Sequence, residues 1–283
     1  MSVPSAKIST HWASTLHPVV AAARSTLATP QDKSHEKLLG ILYRYVSPRT
    51  VVDFGCGFGL FLQAAKRMGA DTVLGLDIPE VEVDTRRIRP DEFLPADFRE
   101  PIALSSRFDL AISLEVAEHL PLNAASTFVG SLCAASDLIM FGAAVPYQGG
   151  MGHINENWLE FWYELFKKRG YLAFDIFRPE LWTDASVTYY YKQNCILYAN
   201  ESISNKLAAS GLQPATNIHS HIHPDMYIKA VNRSLPPEMQ STHEDVREYY
   251  NRALRGLHHN QSRTYGQEKL TSKHLDRGLR QHS

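Results

Sequence analysis

Residues 51–77, VVDFGCGFGLFLQAAKRMGADTVLGLD, decide the fold. Thr50, Val51 and Val52 form a short β-branched run that continues into Asp53, which suits a buried parallel strand. Gly55, Gly57 and Gly59 then fall at every second position. There they permit positive φ in a tight turn and remove the Cβ atoms that would hold a ligand off the backbone. Leu60 to Met68 reads as a helix with Leu60, Phe61, Ala64, Ala65 and Met68 on one face, and Gly69 stops it. A second strand, Thr72 to Leu76, ends at Asp77. An acid about twenty residues past such a turn is placed to accept from the two hydroxyls of a ribose. The ligand expected from these residues is an adenosine-containing cofactor.

The glycine spacing narrows the choice. A dinucleotide fingerprint, G-x-G-x-x-G/A, needs a third small residue so that the helix packs closely and a pyrophosphate meets its N-terminus. Leu60 occupies that place here, and Asp53 would repel a pyrophosphate but could organise a cationic amino-acid ligand. The run Asp53-Phe54-Gly55-Cys56-Gly57-Phe58-Gly59 resembles motif I, D/E-x-G-x-G-x-G, of the class I S-adenosylmethionine (SAM) dependent methyltransferases. The resemblance extends over Lys33 to Ala199. It implies a Rossmann-like α/β fold, with a seven-stranded, mostly parallel sheet, flanking helices and one antiparallel strand near the edge. It also implies that Gly55, Gly57 and Gly59 approach the methionine part of SAM, that Asp53 supports the turn, and that Asp77 holds the ribose.

At 283 residues the chain can hold one α/β domain with additions at both ends. Its 44% hydrophobic and 21% charged residues describe a globular protein able to bury a sizeable core. A net charge of -1 provides no global attraction to nucleic acid or to an anionic membrane. No apolar run approaches the roughly 18 residues of a membrane helix, and no charged-then-apolar leader opens the chain, so a cytoplasmic location is expected. Cys56, Cys133 and Cys195 are odd in number and lie in apolar or glycine-rich contexts, as reduced packing residues do.

Residues 1–32 read as a separate N-terminal segment, with a polar start and a short helix over Pro18 to Leu27. Trp12 and His17 are lid candidates, the alternative being a helix that packs on the sheet edge. Asp32 can cap the helix carrying Leu38, Leu39, Ile41, Leu42, Tyr45 and Val46. The cofactor domain is expected over 33–200, a C-terminal extension over 201–257, and a polar, disordered tail over 258–283. Within the extension, Ile203 to Ser210 reads as a helix stopped by Gly211, and Thr242 and Asp245 can cap another running to Leu254. His219, His221 and His223 alternate, so a strand there would turn all three one way, toward a metal. A histidine-rich surface segment is the favoured alternative, because no carboxylate or cysteine completes the set.

Past Asp77, the connection Pro79 to Pro90 leads to a short third strand, Glu92 to Ala96, ending at Asp97-Phe98. In the methyltransferase pattern an Asp at this place accepts from the adenine amino group and the following backbone N–H meets a ring nitrogen. That resemblance assigns Asp97 and Phe98 to the cofactor; a polar loop residue before Pro101 is the alternative. Phe108 to Glu115, Asp137 to Val145, Tyr171 to Phe177 and Ser186 to Tyr198 read as the remaining strands. Asn157 and Glu160 start a helix whose aromatic stripe, Trp158, Phe161, Trp162, Leu165 and Phe166, reads as core.

The fourth strand ends in Glu115-Val116-Ala117-Glu118-His119, at the sheet edge where open α/β folds bind ligands. A helical turn there would place Glu115, Glu118 and His119 on one face. His153 follows the fifth strand, in a loop with Gly149, Gly150 and Gly152. Glu118, His119 and His153 are the candidate catalytic residues, with Glu115 on the cofactor side. A histidine titrates near neutrality and can take a proton from an acceptor. The E-V-x-E-H run also resembles one in the ubiquinone-pathway O-methyltransferases and the small-RNA 2′-O-methyltransferases. In the RNA enzymes these side chains and a later histidine hold a divalent ion, which implies Glu115, Glu118, His119 and His153 as an alternative metal set. A metal-free site is favoured, since Asn157 to Phe161 only loosely follows the RNA enzymes and the core lacks a basic groove. The expected function is SAM-dependent methyl transfer to an oxygen or nitrogen of a small molecule, such as a sugar or secondary-metabolite intermediate. Neither membrane nor nucleic acid is an expected partner. An enzyme that attacks another SAM carbon and releases methylthioadenosine, and a non-catalytic SAM-binding protein, are the alternatives.

Overall fold

The computed structural model describes residues 33–78, 87–236, 240 and 248. Seven strands make one sheet: β1 (Thr50–Phe54), β2 (Thr72–Asp77), β3 (Phe93–Pro95), β4 (Leu110–Leu114), β5 (Leu138–Gly142), β6 (Leu172–Phe174) and β7 (Ile196–Ala199). Their order is β3-β2-β1-β4-β5-β7-β6. β1 pairs in parallel with β2 and β4, β2 with β3, and β4 with β5. β7 runs antiparallel to both β5 and β6, so the reversed strand lies second from the edge. This is the Rossmann-like sheet that the glycine turn implied. The strand order reverses between β1 and β4, which opens a crevice at their carboxyl ends.

Alternation along each strand divides the core between two faces. Val52, Phe54, Ile139, Phe141, Ile196 and Tyr198 face one way, under α3 (Ala125–Ala135) and α4 (Leu159–Lys167), which contribute Phe128, Leu132, Trp162 and Phe166. Val51, Ile112, Met140 and Leu197 face the other, against α1 (Ser34–Leu42), α2 (Leu60–Arg67) and α7 (Glu201–Ala209). Each such side chain, fully buried, stabilises the fold by roughly 1.5–3 kcal/mol. The aromatic stripe of α4 is core at Trp162 and Phe166, while Trp158 is 46% exposed. The cap of α4 is Trp158 and not Asn157, whose amide donates to Asn155.

Two strand expectations are corrected. Tyr171 to Phe177 is a strand only over Leu172–Phe174, because Asp175 turns aside to pair with Arg178 and a short helix, α5 (Arg178–Leu181), follows. Ser186 to Tyr198 is a strand only in its last part; Tyr189–Asn194 is a helix, α6. The β-forming tyrosines are overridden by tertiary contacts, since the helical turn brings Tyr191 onto Phe61 and Asn194 to the end of β4. His219, His221 and His223 do not lie on a strand. His219 lies 3.7 Å from Glu160, and buried His223 donates from Nε2 to the Trp182 carbonyl at 2.9 Å, so no shared metal face forms. A last described helix, α8 (Pro224–Ser234), covers the apolar stretch read at Asp225 to Val231. The chain divides into two compact units after Ser234, and every element above belongs to the first. Trp12, His17, the Pro18 to Leu27 helix, Asp32, Thr242, Asp245 and the tail from His258 lie outside the described residues, as does 79–86 of the connection after β2.

Candidate active site

Gly55, Gly57 and Gly59 all take positive φ, at 88°, 50° and 77°. They do so for different reasons. A Cβ on Gly55 would come within 2.2 Å of Val116 Cγ2, and one on Gly59 within 3.0 Å of Ile88 Cγ2. A Cβ on Gly57 would meet nothing within 4 Å among the described residues. The outer glycines therefore serve the protein's own packing, while Gly57 borders open space that a ligand can enter. Asp77 is fully buried, and its carboxylate accepts from the N–H groups of Gly57 at 2.8 Å and Ile78 at 2.7 Å. A carboxylate offers about four acceptor positions, so bracing this turn is compatible with accepting from a ribose. Asp53 is buried beneath the turn, where desolvation first and the charge of Asp77 second push its carboxyl well above the usual range. A cationic ligand beside this pair would relieve that penalty. These features fit SAM, which is cationic at its sulfonium and its ammonium. Asp97 is held by Arg99, which donates from Nε at 2.9 Å and Nη2 at 2.6 Å, and Phe98 is buried against Phe54 and Phe128.

At the end of β4 the expected single helical face does not form. Glu115 takes φ 57°, and Ala117–His119 is a tight 3₁₀ turn, so the side chains part company. Glu115 turns to Asn194, which donates at 2.9 Å, and to Gln148. Glu118 and His119 instead meet His153: ligand atoms of these three residues all lie within 4.8 Å of one another. The metal set drawn from the sequence thus loses Glu115.

Glu118 is fully buried, and neither carboxylate oxygen has a hydrogen bond among the described residues. Burial first and the charge of Glu115 second push its carboxyl well above the usual range. It lies 3.9 Å from His153 Nε2. The Glu118 carbonyl accepts from the N–H groups of Ile154 and Asn155, both at 3.0 Å, and this docks the His153 loop on the β4 edge. Glu156 organises the same loop, accepting from the Tyr147 and Gly149 N–H groups at 2.8 and 2.6 Å. His153 Nδ1 lies 2.9 Å from Glu156 Oε1. With an acceptor there, the ring carries its proton on Nδ1 and its lone pair on Nε2, an assignment made from the partner. The His119 ring meets His153 edge to face at 4.8 Å, and its Nδ1 faces the Gly152 carbonyl at 3.3 Å. A Cβ on Gly150 would strike His153 Nε2 at 2.2 Å, so glycine at 150 makes room for the ring.

Four residues of this region were not read from the sequence. Glu156 stands three residues past His153, a spacing that could have marked it. Gln148, Gln193 and Asn194 come together from distant segments and carry no local signal.

A family model described as a methyltransferase domain matches residues 19–217, well over half of the chain. The chain belongs to the SAM-dependent methyltransferases. This methyltransferase is 36% identical over 92 residues to the ubiquinone biosynthesis O-methyltransferase of Methylobacterium sp. (strain 4-46), covering 30% of this chain and 36% of that protein. It is also 36% identical over 78 residues to the ribosomal protein L11 methyltransferase of Cupriavidus pinatubonensis, covering 27% and 26%. The chain thus spans under half the length of these curated relatives. The magnesium protoporphyrin IX methyltransferase of Synechocystis PCC 6803 aligns at 19% identity over 58% of this chain and 76% of that one, with a TM-score of 0.43. Among the described residues, no helix is long and apolar enough to cross a membrane.

Proposed function

We propose that this methyltransferase methylates a hydroxyl or amine of a small molecule, with His153 as the base that takes the acceptor's proton. The observation that carries the reading is the His153 ring, held at Nδ1 by Glu156 and turned at Nε2 toward the buried Glu118. When bound, SAM supplies a methyl group already activated on a sulfonium. The protein's part is to align the acceptor, exclude water and remove one proton. Asp77 accepts from the ribose, Asp97 and the Phe98 backbone meet the adenine, and Gly57 lets the ligand approach the turn. At the acceptor, His153 Nε2 takes the proton and the imidazolium lies between two carboxylates, Glu156 at 2.9 Å and Glu118 at 3.9 Å. The imidazolium would draw the Glu118 carboxyl back toward its ionised form, and the two charges would then stabilise each other. His119, edge to face with His153, restricts the ring's rotation. His153→Asn should bind SAM as the wild type does and lose turnover by about 10²–10⁴-fold. Wild-type turnover in that variant would contradict the reading.

A second reading is favoured by one observation, the unpartnered oxygens of Glu118 beside two imidazoles. One carboxylate and two histidines suit a divalent transition ion, with Glu156 orienting His153 from behind. Such an ion would polarise the acceptor hydroxyl. Loss of activity after chelation, restored by Mg²⁺, Mn²⁺ or Zn²⁺, supports this version, and insensitivity to chelators supports the base.

A further inference from the structure

We propose that Gln148, Gln193 and Asn194 are positioning residues that hold Glu115 as the acceptor for the ammonium group at the amino-acid end of the cofactor. The proposal rests on the SAM assignment and is independent of the role given to His153.

The argument begins at a donor that cannot be reversed. The backbone N–H of His223 donates to Gln193 Oε1 at 2.7 Å. That fixes the Gln193 amide, so its Nε2 donates to Asn194 Oδ1 at 3.0 Å and faces Gln148 Oε1 at 3.4 Å. Asn194 Nδ2 in turn donates to Gln148 Oε1 and to Glu115 Oε1, both at 2.9 Å, and Gln148 Nε2 donates to Glu115 Oε2. Each amide orientation follows from the one before it, and the chain ends with two N–H donors on one carboxylate. All three amide residues are buried, while Glu115 is only partly so. Burying amides is costly unless they are paired, and here the pairing is continuous.

The location explains the expense. Val116, next in the chain, occupies the space beside Gly55, so Glu115 adjoins the glycine turn at the crevice between β1 and β4. Its left-handed backbone, at φ 57°, is uncommon for a glutamate and turns the side chain away from the histidine cluster. Burial pushes the Glu115 carboxyl up to about 7 while the Asn194 and Gln148 donors pull it back, so a cation seated on the remaining acceptor positions completes its ionisation. The two glutamates of the E-V-A-E-H run therefore have separate tasks: Glu118 joins the histidines and Glu115 the cofactor.

The test compares two adenosine thioethers that differ in the amino-acid end, S-adenosylhomocysteine and methylthioadenosine, by calorimetry. Glu115→Gln and Asn194→Leu should each weaken S-adenosylhomocysteine about tenfold or more, and methylthioadenosine less than about twofold. The double variant should be no weaker than the worse single one, because both act through one carboxylate. Should Asn194→Leu not fold, Gln148→Met removes the donor on the other oxygen and carries the same expectation. Equal weakening of both nucleosides, undiminished S-adenosylhomocysteine binding, or single losses that multiply in the double variant would overturn the proposal alone. A wild type that binds neither nucleoside overturns the SAM assignment and the proposal with it.

Discussion

At the scale of single residues, Gly55 and Gly57 both take positive φ, yet a methyl group has different consequences at each. Both variants carry the left-handed strain of roughly 1–2 kcal/mol. Gly55→Ala adds an overlap with Val116 at 2.2 Å, whereas Gly57→Ala adds none. Thermal melts should show a clearly larger loss for Gly55→Ala, and calorimetry the larger loss of SAM affinity in folded Gly57→Ala. Equal melts and equal affinities would mean that Gly57 does not border the ligand. Asp77→Ala removes a charged acceptor whose bonds contribute roughly 1.5–3 kcal/mol each, so SAM should bind about tenfold weaker or worse. Unchanged affinity would contradict the ribose role. The turn was legible because its chemistry is local: three alternating glycines announce positive φ, and the structure has it at all three, with Asp77 bracing Gly57. Glu115 was legible as an acid but not by its partners, since Gln148 and Asn194 are 33 and 79 residues away.

At the scale of elements, β1 and β2 followed their β-branched and apolar runs, and α2 its apolar face at Phe61, Ala64 and Ala65, although Met68 is exposed and Leu62 is buried instead. The insertion between β6 and β7 was misread. Tyr189–Asn194 has strand-forming tyrosines but winds as a helix, and only the fold reveals that Asn194 is needed at the β4 edge. The insertion is tied to α1 through Asp184, which accepts from Ser186 and pairs with Lys37 at 3.1 Å. The Ser186 hydroxyl, chiefly, holds the Asp184 carboxyl down to about 2. That lies below the ordinary value of about 3.9, so the contact adds stability above about pH 4 and loses it as pH falls through about 2. Asp184→Asn should melt lower than wild type at pH 6, by a small margin because solvent screens this site, and the gap should close by about pH 2. A constant gap would show that the charge contributes nothing. At the start of α7, Asn200 accepts from the Ile203 N–H at 3.1 Å, and Asn200→Ala should cost about 1 kcal/mol in denaturant unfolding.

At the scale of the molecule, the sheet's switch point gathers two chemistries at one edge. Asp53, Asp77 and Glu115 gather three acids at or near the carboxyl ends of β1, β2 and β4. Glu118, His119 and His153 lie one loop away, suited to an acceptor that must lose a proton. A net charge of -1 over the whole chain conceals this local concentration of acids, which composition alone could not reveal. The acceptor's identity is illegible for a related reason: no local pattern in the loop after β5, which carries His153, names a substrate. The most direct measurement is incubation with SAM bearing a deuterated methyl group and a small-molecule extract, followed by mass analysis of the sulfur products and of labelled acceptors. The account predicts S-adenosylhomocysteine in equal amount to a deuteromethylated small molecule, both lost in His153→Asn. Methylthioadenosine as the sulfur product, or label appearing in no small molecule, would contradict it.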